Sequence, residues 1–259
     1  MSARLTDAEL AASLASAAGD LLVELRASGI DPDKLGDQGD LRANDLLLER
    51  LAAERPTDAV LSEESVDDPA RLDADRVWII DPLDGTREFT ELPRTDWAVH
   101  VGLWVAGDLA VGAVALPAQG IVLCSSPPPA LPPGGSGPLR LVVSRTRPPA
   151  ITQAVADRLG ALLVPMGSAG AKATSVVLGT SDVYLHGGGQ WEWDSAAPVA
   201  VCRAAGLHTS RLDGTPLTYN QPKPWLPDLL ICRRELADTV LEAVAAAMTD
   251  VATPAPRGI

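Results

Sequence analysis

Apolar and polar positions divide the chain into helical and strand-like stretches. Thr6-Asp7-Ala8-Glu9 has the form of a capping box, and Leu10, Leu14, Leu21 and Leu25 follow at helical spacing with Ala17 and Ala18 between them. That predicts an amphipathic helix. A second helix is expected from about Asp40 to Glu54, with Leu41, Leu48 and Leu51 on one face and Pro56 just beyond its end. Short strands are expected at Ala59 to Leu61 and Arg76 to Ile80. From Asp96 to Leu123 the period changes to two, as in Trp97, Val99, Val101 and Leu103. Gly107-Asp108 marks a turn before Leu109 to Leu116, the pattern of an antiparallel meander.

Residues 127–138, "PPPALPPGGSGP", hold six prolines and no charge, so neither a helix nor a central strand is expected there. They divide a first half, 1–138, from a second, 139–259, and are expected to be a flexible or irregular connection. The second half alternates strand and helix. Strands are expected at 139–143, 162–165, 182–186 and 229–232, and helices at about 149–160, 168–178, 195–205 and on to Met248, with Gly179 and Gly206 as stops. Such alternation predicts α/β layers. The closing "TPAPRGI" is expected to be a mobile tail.

Composition narrows the function classes. A chain of 259 residues is one large α/β domain or two smaller ones around a shared core. The formal net charge of −13 argues against a nucleic acid polymer as partner, since polymer binding needs Lys and Arg to neutralise many phosphates. No stretch approaches the roughly 18 to 20 apolar residues of a membrane span, and the N-terminus lacks a basic segment followed by an apolar one. A soluble, cytoplasmic protein is expected. Cys124, Cys202 and Cys232 are odd in number and far apart, which suggests packing rather than disulfides or a metal pair.

The candidate chemistry lies in "VWIIDPLDGTREF", residues 77–89. Asp81 ends an apolar run, Pro82 keeps it extended, and Asp84-Gly85-Thr86 makes a turn. Two acids this close repel unless a cation or proton intervenes, and hard oxygen ligands at a turn suit Mg²⁺, with the Leu83 carbonyl as a further donor. Taken alone, the stretch reads first as an ordinary turn with a capping Asp, and the other acids change that. Two further acidic sites lie elsewhere: Glu63-Glu64 in "VLSEES", otherwise an exposed loop, and Asp194 in "QWEWDSAAP", otherwise an N-cap. Haloacid-dehalogenase-like enzymes use Asp-x-Asp-Gly-Thr, but here the first position is Pro82, so that class is rejected.

The segments "VLSEES", "WIIDPLDGTREF" and "WEWDSAAPVAV" resemble, in order and spacing, the metal-binding motifs of the Mg²⁺-dependent, lithium-sensitive phosphatases of the inositol monophosphatase superfamily. The resemblance spans nearly the whole chain. It implies a layered α-β-α-β-α sandwich and metal ligation by Glu63, Asp81, the Leu83 carbonyl, Asp84 and Asp194, with two or three Mg²⁺ ions. Asp40 falls where the family has an acid that pairs with the motif threonine, here Thr86, to activate water; otherwise Asp40 caps the second helix. Asp40, Thr86 and Glu63 are thus the expected catalytic residues. Metal ions about 4 Å apart would offset phosphoryl charge and lower the pKa of water.

The ending "DPLDGTREF" resembles the branch that hydrolyses 3'-phosphoadenosine 5'-phosphate, whereas inositol monophosphatases carry a Thr-Asn-Phe ending. The expected reaction gives AMP and phosphate, extends to the 5'-phosphosulfate, and belongs to sulfur metabolism. Inositol 1-phosphate or fructose 1,6-bisphosphate is the alternative substrate, and a non-catalytic nucleotide-binding regulator the remote one. Expected substrate contacts are Gly85 and Thr86 through their N–H groups, Arg87, Ser144 and Arg145 after a strand, Gly167, Ser168 and Lys172 at a helix start, and Glu192 and Asp194. Trp191 and Trp193, beside a flexible glycine run, would give an aromatic wall for a purine or simply core packing. A homodimer is compatible with this reading.

Overall fold

The computed structural model describes residues 4–252; the 253–259 tail lies outside the described residues. The first helix, α1 (Asp7–Ala27), opens with the expected capping box: Thr6 Oγ1 accepts from the Glu9 N–H at 3.2 Å, and Glu9 Oε2 accepts from the Thr6 N–H at 2.9 Å. The second, α2 (Pro32–Glu54), starts well before Asp40, capped by Asp31 with Pro32 in its first turn. Its buried face runs through Leu35, Gly36, Gly39, Ala43, Leu47 and Leu51, whereas Leu41 is exposed. Leucine spacing misplaced this face because glycines make the close contacts. A Cβ on Gly39 would come within 2.8 Å of Leu83 and 3.0 Å of Phe89, and one on Gly36 within 2.9 Å of Thr86. Asp40 is therefore inside the helix and does not cap it.

The strands β1 (Ala59–Ser62), β2 (Arg76–Asp84), β3 (Ala98–Val105), β4 (Asp108–Leu116) and β5 (Ile121–Cys124) form one sheet in sequence order, parallel only between β1 and β2. A short helix, α3 (Thr86–Thr90), follows β2. The meander turns at Ala106-Gly107, both with positive φ, one residue earlier than expected. The second sheet holds β6 (Arg140–Ser144), β7 (Leu162–Met166), β8 (Val183–Trp191), β9 (His208–Ser210) and β10 (Trp225–Cys232) in the order β7-β6-β8-β10-β9. Helices α4 (Ile151–Leu159), α5 (Ala169–Val177), α6 (Ala196–Ala204) and α7 (Ala237–Ala252) complete it.

Side-chain alternation makes five layers. In β2, Trp78 and Ile80 pack with the α1 and α2 leucines, while Val77 and Ile79 face a middle layer of α5 and α6. Across that layer Val142, Tyr184, Leu229 and Ile231 close the same core from the second sheet. Their neighbours Leu141, Val183, Leu230 and Cys232 pack outward with Val155 of α4 and Val240 and Val244 of α7. The order is α-β-α-β-α. Period two therefore did not mean an exposed face: both sides of β3 are buried from Ala98 to Leu103. At Gly112 the α6 backbone approaches so closely that a Cβ would lie 2.4 Å from the Ala197 oxygen.

The proline-rich segment is irregular but docked: Leu131 packs on the middle core and the Pro132 carbonyl accepts from Arg233 Nη2 at 2.6 Å. The glycine run expected to be flexible belongs to β8, which continues past His186 to Trp191.

Candidate active site

Loops from three strand ends converge on one cleft of about 510 Å³. β2 extends beyond the expected end at Ile80, and its pairing with β3 slips between Asp81 and Asp84, which accommodates Pro82 and Leu83. Gly85 then takes φ +88, a conformation open to glycine at little cost, and α3 begins. Asp194 follows β8 just before α6, and Glu63 follows β1.

Asp81, Asp84 and Asp194 each present a carboxylate oxygen within 4.8 Å of the others. Asp81 is buried; its Oδ1 accepts from the Leu83 N–H at 3.1 Å, while its Oδ2 has no hydrogen-bond partner and lies 3.8 Å from His100 Nδ1. Burial, then the charges of Glu63, Asp84 and Asp194, pushes its carboxyl well above the usual range. Desolvation followed by Asp84 raises Asp194 to about 6. Desolvation followed by Asp194, Asp84, Glu64 and Asp40 raises Glu63 to about 8, although the Glu63 side chain reaches solvent and water moderates that effect. Glu63 lines the cleft without joining the tight three-carboxylate group. A buried, mutually repelling, oxygen-only set with an orphaned oxygen fits a hard divalent cation.

Asp84 differs. Burial alone would raise it, but the attraction of His100 and Lys172 and the Ser168 hydroxyl outweigh that and hold it below the ordinary carboxylate range. Ser168 Oγ donates to Asp84 Oδ2, as does the Gly170 N–H at 2.7 Å. Ser168 also caps α5 through the Ala171 N–H at 2.9 Å, from a strained backbone of φ +50. The Gly167 N–H is likewise taken by Asp96 Oδ2 at 2.6 Å. The helix start read as a site for substrate anions thus holds the chain's own carboxylates.

Lys172 lies beneath, buried rather than on a helix surface. Its Nζ donates to the carbonyls of Gly167 at 3.2 Å and Ser168 at 2.6 Å and sits 5.5 Å from the Tyr184 ring centroid. On the other wall Thr86 Oγ1 donates to Asp40 Oδ1 at 3.4 Å or the Leu83 carbonyl at 3.3 Å. Desolvation, with Glu64 as the next cause, raises Asp40 to about 7. Gly85, Arg87 and Ser144 line the cleft with these residues.

Two expected contacts are corrected. Arg145 is bound to Glu88 at 2.7 Å and Glu91 at 3.0 Å and is absent from the lining, while Arg147 is present in it. Glu192 is buried, with its carboxylate oxygens accepting the Asn220 N–H at 2.7 Å and the Gln221 N–H at 2.9 Å. It holds a loop and has no free face for a sugar hydroxyl.

The sequence reading missed His100 and Trp225. His100 sits opposite Asp81 in the β2-β3 pairing, bonds the Trp193 carbonyl through Nδ1 at 3.0 Å, and brings Nε2 to 3.2 Å from Asp84 Oδ2 without aiming at it. A lone histidine in an apolar strand was the available signal. Trp225 had none, because its cleft contact depends on β8 and β10 pairing.

The sequence profile of the inositol monophosphatase family matches residues 7–126 and 139–249. A 3'-phosphoadenosine 5'-phosphate phosphatase of Mycobacterium leprae is 56% identical over 93% of this chain and 94% of that protein. The 3'(2'),5'-bisphosphate nucleotidase CysQ of Escherichia coli is 28% identical over 72% of this chain and 80% of that protein. Among solved structures, CysQ from Bacteroides thetaiotaomicron superposes with a TM-score of 0.75 at 24% identity, covering 88% of this chain and 97% of that one. With its five-layer fold and acidic cleft, the chain belongs to the inositol monophosphatase family.

Proposed function

We propose that this protein is a Mg²⁺-dependent phosphomonoesterase that removes the 3'-phosphate of 3'-phosphoadenosine 5'-phosphate, giving AMP and phosphate. The observation that carries the reading is the group of Asp81, Asp84 and Asp194 with Thr86, which bonds Asp40, at a cleft lined by Asp84, Asp194, Thr86, Arg87 and Arg147. Strong similarity to the mycobacterial phosphatase supports this substrate over an inositol phosphate.

The three aspartates, with Glu63 and the Leu83 carbonyl, would hold the metal. Bound there, Mg²⁺ supplies charge neutralisation for the phosphoryl oxygens and a lowered pKa for water. The chain's own groups handle the proton. Thr86 can pass its hydroxyl proton to Asp40 and accept one from the attacking water as the water oxygen bonds phosphorus and the bond to the 3'-oxygen breaks, the departing oxygen taking a proton from solvent water to become the 3'-hydroxyl of AMP. Asp40 at about 7 is suited to this role near neutral pH. Gly85 and Thr86 N–H groups open α3 beside this point and would steady a phosphoryl oxygen, while Arg87 and Arg147 offer planar donors for the second phosphate. Free thiols at Cys124, Cys202 and Cys232 suit a reducing, cytoplasmic setting.

The test is phosphate release with Mg²⁺, comparing kcat/KM for 3'-phosphoadenosine 5'-phosphate, inositol 1-phosphate and fructose 1,6-bisphosphate. We expect a preference of about 100-fold or more for the nucleotide, equivalent to about 2.7 kcal/mol in transition-state binding. Comparable rates on all three would retain the phosphatase and remove the substrate assignment.

A further inference from the structure

We propose that Trp191 and Trp225 form a base-binding wall on which the purine of the substrate stacks, with the Gln190 carboxamide meeting the base edge; this rests on the nucleotide reading above. The two tryptophans are direct cross-strand partners at the end of β8 and the start of β10. Their ring centroids are 5.0 Å apart at 81°, and Trp193 stacks on Trp191 at 5.2 Å and 14°. Trp191 is 39% and Trp225 38% exposed, and both line the cleft that contains Asp84 and Asp194. Trp78 and Trp97 are fully buried, and Trp104 and Trp193 are partly covered by the core. Leaving two large indoles in water forgoes their burial energy unless another group covers them.

The wall is tied to the acidic cluster. The Trp191 N–H donates to Asp194 Oδ2 at 2.6 Å, which sets the wall's position relative to the reacting phosphate. On the other strand, the Trp225 benzo ring lies against Gly189, where a Cβ would fall 1.8 Å from Cζ2 and φ is +89. Glycine is needed there for both conformation and clearance.

Polar atoms identify the kind of ligand. Gln190, between Gly189 and Trp191, is nine-tenths buried in the lining, and neither its Oε1 nor its Nε2 has a protein partner. The buried Tyr184 hydroxyl, also in the lining, is equally orphaned. Gln190 offers a donor and an acceptor side by side, as a purine edge requires. A ligand with a flat aromatic face and a hydrogen-bonding edge is a nucleobase; inositol and sugar phosphates have no such face.

The experiment compares wild type with Trp191→Leu, Trp225→Leu and Trp225→Phe on 3'-phosphoadenosine 5'-phosphate and on the base-free ribose 3,5-bisphosphate. Stacking energies predict a loss of about 5- to 150-fold in nucleotide kcat/KM for each Leu variant, mainly through KM. Turnover of the base-free substrate should be unchanged, and Trp225→Phe should retain most nucleotide activity. AMP should quench tryptophan fluorescence in wild type and do so less in each Leu variant. Equal losses on both substrates, or no loss on the nucleotide, would overturn the wall while leaving the phosphatase reading intact. If wild type did not hydrolyse the nucleotide, quenching by AMP would support the wall while the functional reading fell, and no quenching would remove both.

Discussion

At Asp84 one buried carboxylate accepts from Ser168 and from the Gly170 N–H, with Lys172 and His100 close by, so it stays ionised where Asp81 is pushed toward protonation. Two acids three positions apart therefore have different resting states, a division that sequence spacing alone does not reveal. Replacing Asp84 with Asn keeps the shape and an acceptor for Ser168 and Gly170 but removes the charge. The variant should fold with a Tm below wild type, because the charge that faces Lys172 is gone, and lose about 1000-fold in kcat, about 4 kcal/mol; retained turnover at saturating Mg²⁺ would contradict the assignment. The motif run Asp81, Leu83, Asp84 and Thr86 was legible because its members are neighbours in the chain. Glu192 was misread because loop partners distant in sequence decide its role.

Among elements, the position of α6 matters most for the third acid, since Asp194 sits just before its first turn. Gly102 and Gly112 let its backbone settle on β3 and β4, where Cβ atoms would lie 3.1 Å and 2.4 Å from Ala197 backbone atoms. Gly112→Ala should force helix and sheet apart at a cost of about 1–3 kcal/mol, the range for overpacking a core. Urea denaturation would register this as a lower midpoint with unchanged slope; an unchanged midpoint would mean that the layers can slide. Helix α2 makes the same point. Its capping Asp31 and N-terminal Pro32 were readable signals, yet the periodic leucines drew attention to a face rotated from the buried one. Glycines leave no hydrophobic mark on a periodicity plot although they permit the closest contacts.

Over the whole molecule the concentrated acids govern the response to pH and metal. Asp40, Glu63, Asp81 and Asp194 all have raised folded-state values, so between about pH 4 and 8 the folded chain holds protons that the unfolded chain releases. Stability of the metal-free protein should therefore fall as pH rises through that window. Asp84 has the opposite sign: its contribution is present above its unfolded value and is lost only as pH falls below that. Scanning calorimetry in EDTA should show Tm declining from pH 5 to pH 8, and Mg²⁺ should raise Tm more at pH 8, where fewer protons compete. A flat profile, or a larger Mg²⁺ effect at pH 5, would mean that these carboxylates are not the metal site. The sequence by itself determined the first helix cap, the meander, the alternating second half and the motif acids, because each depends on residues within a turn or a strand of one another. Tertiary structure alone decided that Arg145 pairs with Glu88, that His100 and Lys172 attend Asp84, and that Trp225 joins Trp191 at the cleft. These contacts join distant chain segments, and only the stacking of two sheets about a shared helical layer brings them within hydrogen-bonding or van der Waals reach.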